Sequence, residues 1–76
     1  MVTADLEIDA SGLACPLPLL KAKQGLNQLS SGQTLRLTAT DPGSVRDFHA
    51  FAELSPHQLV AYDELQGTFV YLLRKA

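Results

Sequence analysis

One cysteine in a chain of 76 residues leaves no partner for an internal disulfide and no two-cysteine redox motif. Cys15, His49 and His57 lack the ligand spacing of a zinc site, and no glycine-rich phosphate loop is present. Positive charge is also scarce: six Lys and Arg stand against eight Asp and Glu, for a net charge of −2. That balance argues against the basic field of a free-standing nucleic-acid binder and favours docking to another protein. No apolar run approaches the roughly 20 residues that span a bilayer. The opening Met1-Val2-Thr3-Ala4-Asp5 has no basic segment followed by an apolar one. The chain is therefore expected in the cytoplasm, with its thiol reduced and no membrane contact. Its length suits a single domain, 1–76, with one modest core, so any site must lie on a surface or edge.

What is present is a regular alternation of periods. Leu6 and Ile8 alternate with Asp5, Glu7 and Asp9 as a half-buried strand, closed by the turn Ser11-Gly12. Leu19, Ala22, Leu26 and Leu29 then fall on one helical face, in a helix that ends at Ser30-Ser31-Gly32. Leu35, Leu37 and Ala39 alternate with threonines and Arg36 as a second strand, stopping at Asp41-Pro42-Gly43. Val45, Phe48 and Phe51 or Ala52 mark a second helix with Phe48 and Phe51 in the core, Ser44 and Asp47 as a capping pair and Ser55-Pro56 at its end. Gln58 to Asp63 and Thr68 to Arg74 read as two strands joined by a hairpin turn at 64–67. The order βαβαββ predicts an α/β two-layer sandwich, with two helices on one face of a mixed four-stranded sheet.

If the first two strands are parallel, both helix N-termini open on one sheet edge, where α/β folds usually place their sites. Cys15 and the segment from Asp41 to Asp47 should then be neighbours. The stretch Gly12-Leu13-Ala14-Cys15-Pro16-Leu17-Pro18 places Cys15 at the N-cap and Pro16 at the first helical position, with Pro18 in the same turn. The positive end of a helix lowers a cysteine pKa from about 8.5 toward roughly 3.5–7.5. Moderate activation is expected, since the prolines remove two N–H groups and leave Leu17 as the nearest donor. Lone cysteines are commonly inert packing, but packing has no need of a cap site stiffened by two prolines. Neither histidine is placed by sequence to serve as its base, and each reads as a surface or edge residue. A fixed thiol without its own base suits a carrier that takes a group from one partner and yields it to another, and a persulfide is the natural cargo.

The run from Asp9 to Pro18, D-x-x-G-L-x-C-P-x-P, with D-P-x-x-x-x-D at Asp41 to Asp47 and the ending Leu73-Arg74-Lys75, resembles the TusA/SirA-like sulfur carrier family. The resemblance covers nearly the whole chain and implies the same βαβαββ sandwich. It implies that Cys15 carries a persulfide received from a cysteine desulfurase and relays it toward molybdenum cofactor enzymes, tRNA thiolation or sulfur oxidation. It further implies that Asp41 and Arg46 help to dock the desulfurase, with Lys23 in a similar part. Family members devoted to tRNA thiolation often carry an acidic residue between the prolines and a basic one before the cysteine. Here those places hold Leu17 and Ala14, a departure that touches the tRNA destination and leaves the carrier role intact.

Leu17 and Leu20 point away from the buried face of the first helix, close to Cys15, as a docking patch or as isolated surface leucines. The expected machinery is thus Cys15 supported by Gly12, Pro16 and Pro18, with Leu17, Leu20, Lys23, Asp41 and Arg46 toward partners. No metal and no cofactor are expected beyond the transient persulfide. The expected partners are a desulfurase and a downstream acceptor protein, met by a monomer that does not itself bind nucleic acid. The rival readings are a thiol-based regulatory or interaction module without sulfur transfer, and an RNA-binding sheet. Against the RNA-binding sheet stand the acidic charge and the few aromatics, Tyr62, Phe69 and Tyr71, on the last two strands.

Overall fold

The elements follow as β1 (Leu6–Ala10), α1 (Leu17–Leu26), β2 (Thr34–Ala39), α2 (Gly43–Leu54), β3 (Gln58–Leu65) and β4 (Thr68–Arg74) in the computed structural model, which describes residues 3–76. Met1 and Val2, on which part of the reading of the N-terminus rests, lie outside the described residues. The sheet is mixed, in the order β1-β2-β4-β3. β1 pairs parallel to β2, with Ile8 opposite Leu37 and Ala10 opposite Ala39, and β4 pairs antiparallel to both β2 and β3. The two-residue turn Gln66-Gly67 joins β3 and β4 as a hairpin, and β4 fills the place between β2 and β3.

The period of two along each strand sorts the side chains between the faces. Leu35, Leu37 and Ala39 of β2 and Phe69, Tyr71 and Leu73 of β4 are buried in one core cluster with Ala22 and Leu26 of α1 and Phe48 of α2. α1 lies on β1 and β2, α2 lies on β3 and β4, and the helices touch each other, so both cover the same face. At the centre, the rings of Phe48 and Tyr71 stack with centroids 4.0 Å apart and planes 10° from parallel. Such a pair adds about 0.5–1.5 kcal/mol beyond the area it buries. The ring of Tyr62 lies 5.4 Å from that of Tyr71, so the aromatics of β3 and β4 are gathered on the helix side of the sheet.

Several boundaries differ from the sequence reading. α1 ends at Leu26 because the amides of Gln28 and Leu29 donate to Gly25 and Leu26, three residues back, and tighten the chain into turns. Leu29 still packs half-buried against the core from beyond the helix. β3 runs on to Leu65, since the hairpin needs only two turn residues. Phe51 is half-buried rather than in the core; it lies at the margin, with Lys23 Nζ 5.6 Å from its ring centroid and His57 stacked against it. Ser44 and Asp47 do not form a capping pair. α2 starts at Gly43 with Pro42 at the cap position and no side-chain cap, so Ser44 falls inside the first turn, buried, with its hydroxyl 2.8 Å from the Tyr71 hydroxyl.

Candidate functional site

The parallel pairing of β1 with β2 brings their ends, Ala10 and Ala39, side by side, and the loops that follow are stitched together at once. Ser11 N–H donates to Asp9 Oδ1 at 3.0 Å, and Leu13 N–H donates to the Ala10 carbonyl at 3.2 Å. Gly12 turns the chain with φ +81°, a conformation that favours glycine, and its N–H donates to Thr40 Oγ1 at 2.8 Å in the neighbouring loop. Leu13 then anchors the loop by packing half-buried against the core.

The thiol follows on a tight turn. Leu17 N–H donates to the Ala14 carbonyl at 2.9 Å around a cis Cys15–Pro16 bond, the arrangement of a type VI turn. This turn corrects the expected capping: Pro16, not Cys15, holds the cap position, and α1 begins at Leu17. The Leu17 amide is used inside the turn and is not the sulfur's donor. Pro18 is buried in the first helical turn, where its missing N–H leaves no helical bond unmade. Cys15 itself is exposed.

From the other loop, Asp41 Oδ2 accepts from the Gly43 amide at 3.0 Å and from the Cys15 amide at 3.3 Å, tying the two helix entries together. Gly43 is required by close approach: a Cβ there would stand 2.8 Å from Asp41 Oδ2, 3.2 Å from Cys15 Cβ and 3.5 Å from the sulfur. One turn into α2, Asp47 reaches back, and its Oδ2 accepts a short hydrogen bond from the Cys15 thiol. The thiol is held above its ordinary pKa, chiefly by this bond, then by desolvation and by the charges of Asp47 and Asp41, with Arg46 opposing them. The sequence expectation of a lowered pKa is thus reversed. A carboxylate in contact with the sulfur outweighs a helix end whose first amides are missing or already engaged.

Around this centre Leu17 and Leu20 are 45% and 46% exposed on α1, and Arg46 is exposed on α2, whereas Asp41 is half-buried in the loop junction. A groove between the helices is lined by Leu19, Lys23, Asp47, Phe51 and Leu54, so it runs up to the carboxylate that holds the thiol. Both histidines are engaged elsewhere. His49 Nδ1 lies 2.8 Å from the Val45 carbonyl and its ring meets Tyr62 edge-on, while His57 Nδ1 accepts from the Ala76 amide at 3.0 Å. Among the described residues no group of three or more His, Cys, Asp or Glu is placed to hold a metal, and no helix is long and apolar enough to cross a membrane. Sequence reasoning missed Asp47 as a partner of the thiol and Gly43 as its spacer. Their signal was present in the segment Asp41-Pro42-Gly43-Ser44-Val45-Arg46-Asp47, whose two acids bracket the helix entry.

A family model described as "Sulfurtransferase TusA" matches residues 6–75. The chain belongs to the TusA family. It is 53% identical over 76 residues to a sulfur carrier protein TusA of Allochromatium vinosum, covering 100% of each chain. A protein of the same name from Pseudomonas syringae pv. syringae is 42% identical over 74 residues, covering 97% of this chain and 88% of the relative. Another, from Pseudomonas putida, is 40% identical over 73 residues, covering 96% and 91%. The crystal structure of a SirA-like protein from Desulfitobacterium hafniense superposes with a TM-score of 0.79 at 27% identity, covering 91% of this chain and 95% of that one. The βαβαββ order read from the alternating periods is the order in the structure, and the same fold is found in the SirA-like protein.

Proposed function

We propose that this protein is a sulfur carrier in which Cys15 receives sulfur as a persulfide from a cysteine desulfurase and hands it to a downstream acceptor protein. The observation that carries the reading is the setting of the thiol: exposed, yet held by Asp41 through its amide and by Asp47 through its sulfur, at one edge of the sheet. The relatives named sulfur carrier protein TusA support the same role. With both histidines engaged elsewhere, the partners supply the remaining chemistry.

In the loading step Cys15 loses its proton and, as thiolate, attacks the outer sulfur of the donor's persulfide. A new S–S bond forms at Cys15, the donor's S–S bond breaks, and the departing donor thiolate takes up a proton, so the exchange is neither oxidation nor reduction overall. The same exchange in reverse unloads the carrier onto an acceptor thiol. The persulfide is cargo, and no resident cofactor or metal takes part. Leu17, Leu20, Lys23 and Arg46 form the docking surface, with Asp41 holding the loop they flank. The protein acts as a monomer in the cytoplasm, without touching nucleic acid or membrane. Its acceptor belongs to molybdenum cofactor and molybdoenzyme maturation or to the relay for tRNA 2-thiouridine.

Intact mass after incubation with a cysteine desulfurase and cysteine tests the reading. The expected result is a gain of one sulfur atom that reductant removes and that Cys15→Ala does not acquire. No adduct with any desulfurase of the source cell overturns it and leaves the thiol as a regulatory or docking group. Deleting the gene and assaying thiolated tRNA beside molybdoenzyme activity identifies the acceptor.

A further inference from the structure

The contact between Asp47 and Cys15 serves neither helix capping nor the core. Asp47 stands on the second turn of α2, 32 residues from Cys15 in sequence, and turns its carboxylate back to the sulfur. A thiol donates a hydrogen bond to a carboxylate only while it keeps its proton. Once ionised, the sulfur would face a negative oxygen in direct contact, with Asp41 at its own amide as a second acid. The groups facing the pair are few. Arg46 is the neighbouring cation on α2, Lys23 lines the groove from α1, and from β4 the Tyr71 hydroxyl is bound to Ser44.

From this geometry we infer that Asp47 is a positioning residue that keeps the Cys15 thiol protonated and aimed in the free carrier, so that small electrophiles find it unreactive until a partner disturbs the pair. The inference rests on the carrier reading for its purpose but not for its test. A partner that offers a cation to Asp47 frees the thiol in one step: the carboxylate turns to the new charge, the sulfur loses its hydrogen-bond acceptor, and ionisation becomes easier. A perthiolate on Cys15 cannot donate to Asp47, so the loaded sulfur is turned outward to the acceptor. The free thiol is guarded, and the guard is specific to the unloaded state.

The test uses the full chain and iodoacetamide, following alkylation of Cys15 against pH in the wild type, Asp47→Asn and Arg46→Gln, with thermal melts to establish folding. In Asp47→Asn the midpoint of the alkylation profile falls to lower pH. Each unit of fall raises the thiolate fraction at neutral pH tenfold and lowers its intrinsic reactivity about threefold, so alkylation at pH 7 rises on the order of threefold. Arg46→Gln moves the midpoint the other way, a reversal that a merely structural role for either residue does not produce. An unchanged midpoint in folded Asp47→Asn overturns the inference. Should that variant fail to fold, the S–H stretching band of the wild type decides: a band shifted to low frequency shows the thiol donating to the carboxylate, and a free-thiol band overturns the proposal. Persulfide loading of the wild type by a desulfurase is measured alongside. Loading with an unmoved midpoint defeats the role of Asp47 alone, and failure to load with a moved midpoint defeats the carrier reading alone.

Discussion

The two helix entries share one edge of the sheet and one device, a proline at the cap position with no side-chain cap, yet they do opposite things. The entry to α1 is a surface: Cys15 and Leu17 are exposed around a tight turn, and only Pro18 is sunk into the protein. The entry to α2 is a packed support: Gly43 lies against Cys15, Ser44 is buried against Tyr71, and Asp41 and Asp47 are spent on the amide and sulfur of the other loop. One end presents the reactive atom and the other sets its position and its proton. Stability should therefore be lost mainly by changes at α2, and function by changes at either.

The sharpest way to break the comparison lies under α2. Phe48→Ala empties the centre of the core beside Tyr71 and should cost about 3–5 kcal/mol in denaturant unfolding. If Phe48→Ala costs no more than a surface substitution, the α2 side is not the support described. Gly43→Ala pushes a methyl group against the Asp41 carboxylate and Cys15 Cβ, and should cost about 2 kcal/mol while changing the alkylation rate of Cys15. Tyr71→Phe strands the buried hydroxyl of Ser44 and should cost about 1–2 kcal/mol, measured by the same unfolding curves.

A smaller effect comes from pH. The folded state holds the Cys15 thiol above its ordinary pKa, so as pH climbs past that ordinary value the unfolded chain releases its proton first. Stability present below about pH 9 is thus lost as pH rises through the folded pKa, and Cys15→Ala should flatten that part of the pH profile. The smallest effect on stability belongs to the α1 surface. Leu17→Ala should stay within about 0.5 kcal/mol of the parent while weakening desulfurase binding in a titration. A large stability loss there would show Leu17 to be structural.

Much of this is legible in the sequence. The strands alternate with period two and the helices with three and four, so the element order could be read from apolar spacing, and the mixed sheet from the crossover and hairpin connections. The parallel pairing of β1 and β2 then required the Cys15 loop and the Asp41 segment to meet. Element ends were less legible, because the close of α1 depends on amides that choose a carbonyl three residues back rather than four. Ser44 and Asp47 carry the spacing of a capping pair, which is a local pattern, but tertiary partners 27 and 32 residues away take both side chains. Phe51 shares its periodic face with Phe48 yet falls at the margin, where Lys23 and His57 cover it.

By itself, then, the sequence determined the βαβαββ order, the shared edge of the two helix entries and the single thiol at that edge, because each follows from local periodicity and chain connectivity. Only the tertiary structure decided the state of that thiol. Its proton depends on whether a carboxylate from another helix touches the sulfur, and that contact is set by the Asp41 bond to the Cys15 amide, the missing Cβ of Gly43 and the packing that seats α2 on Tyr71. Hydrogen bonds and charges act over a few ångströms of space, and residues distant in the chain supply them.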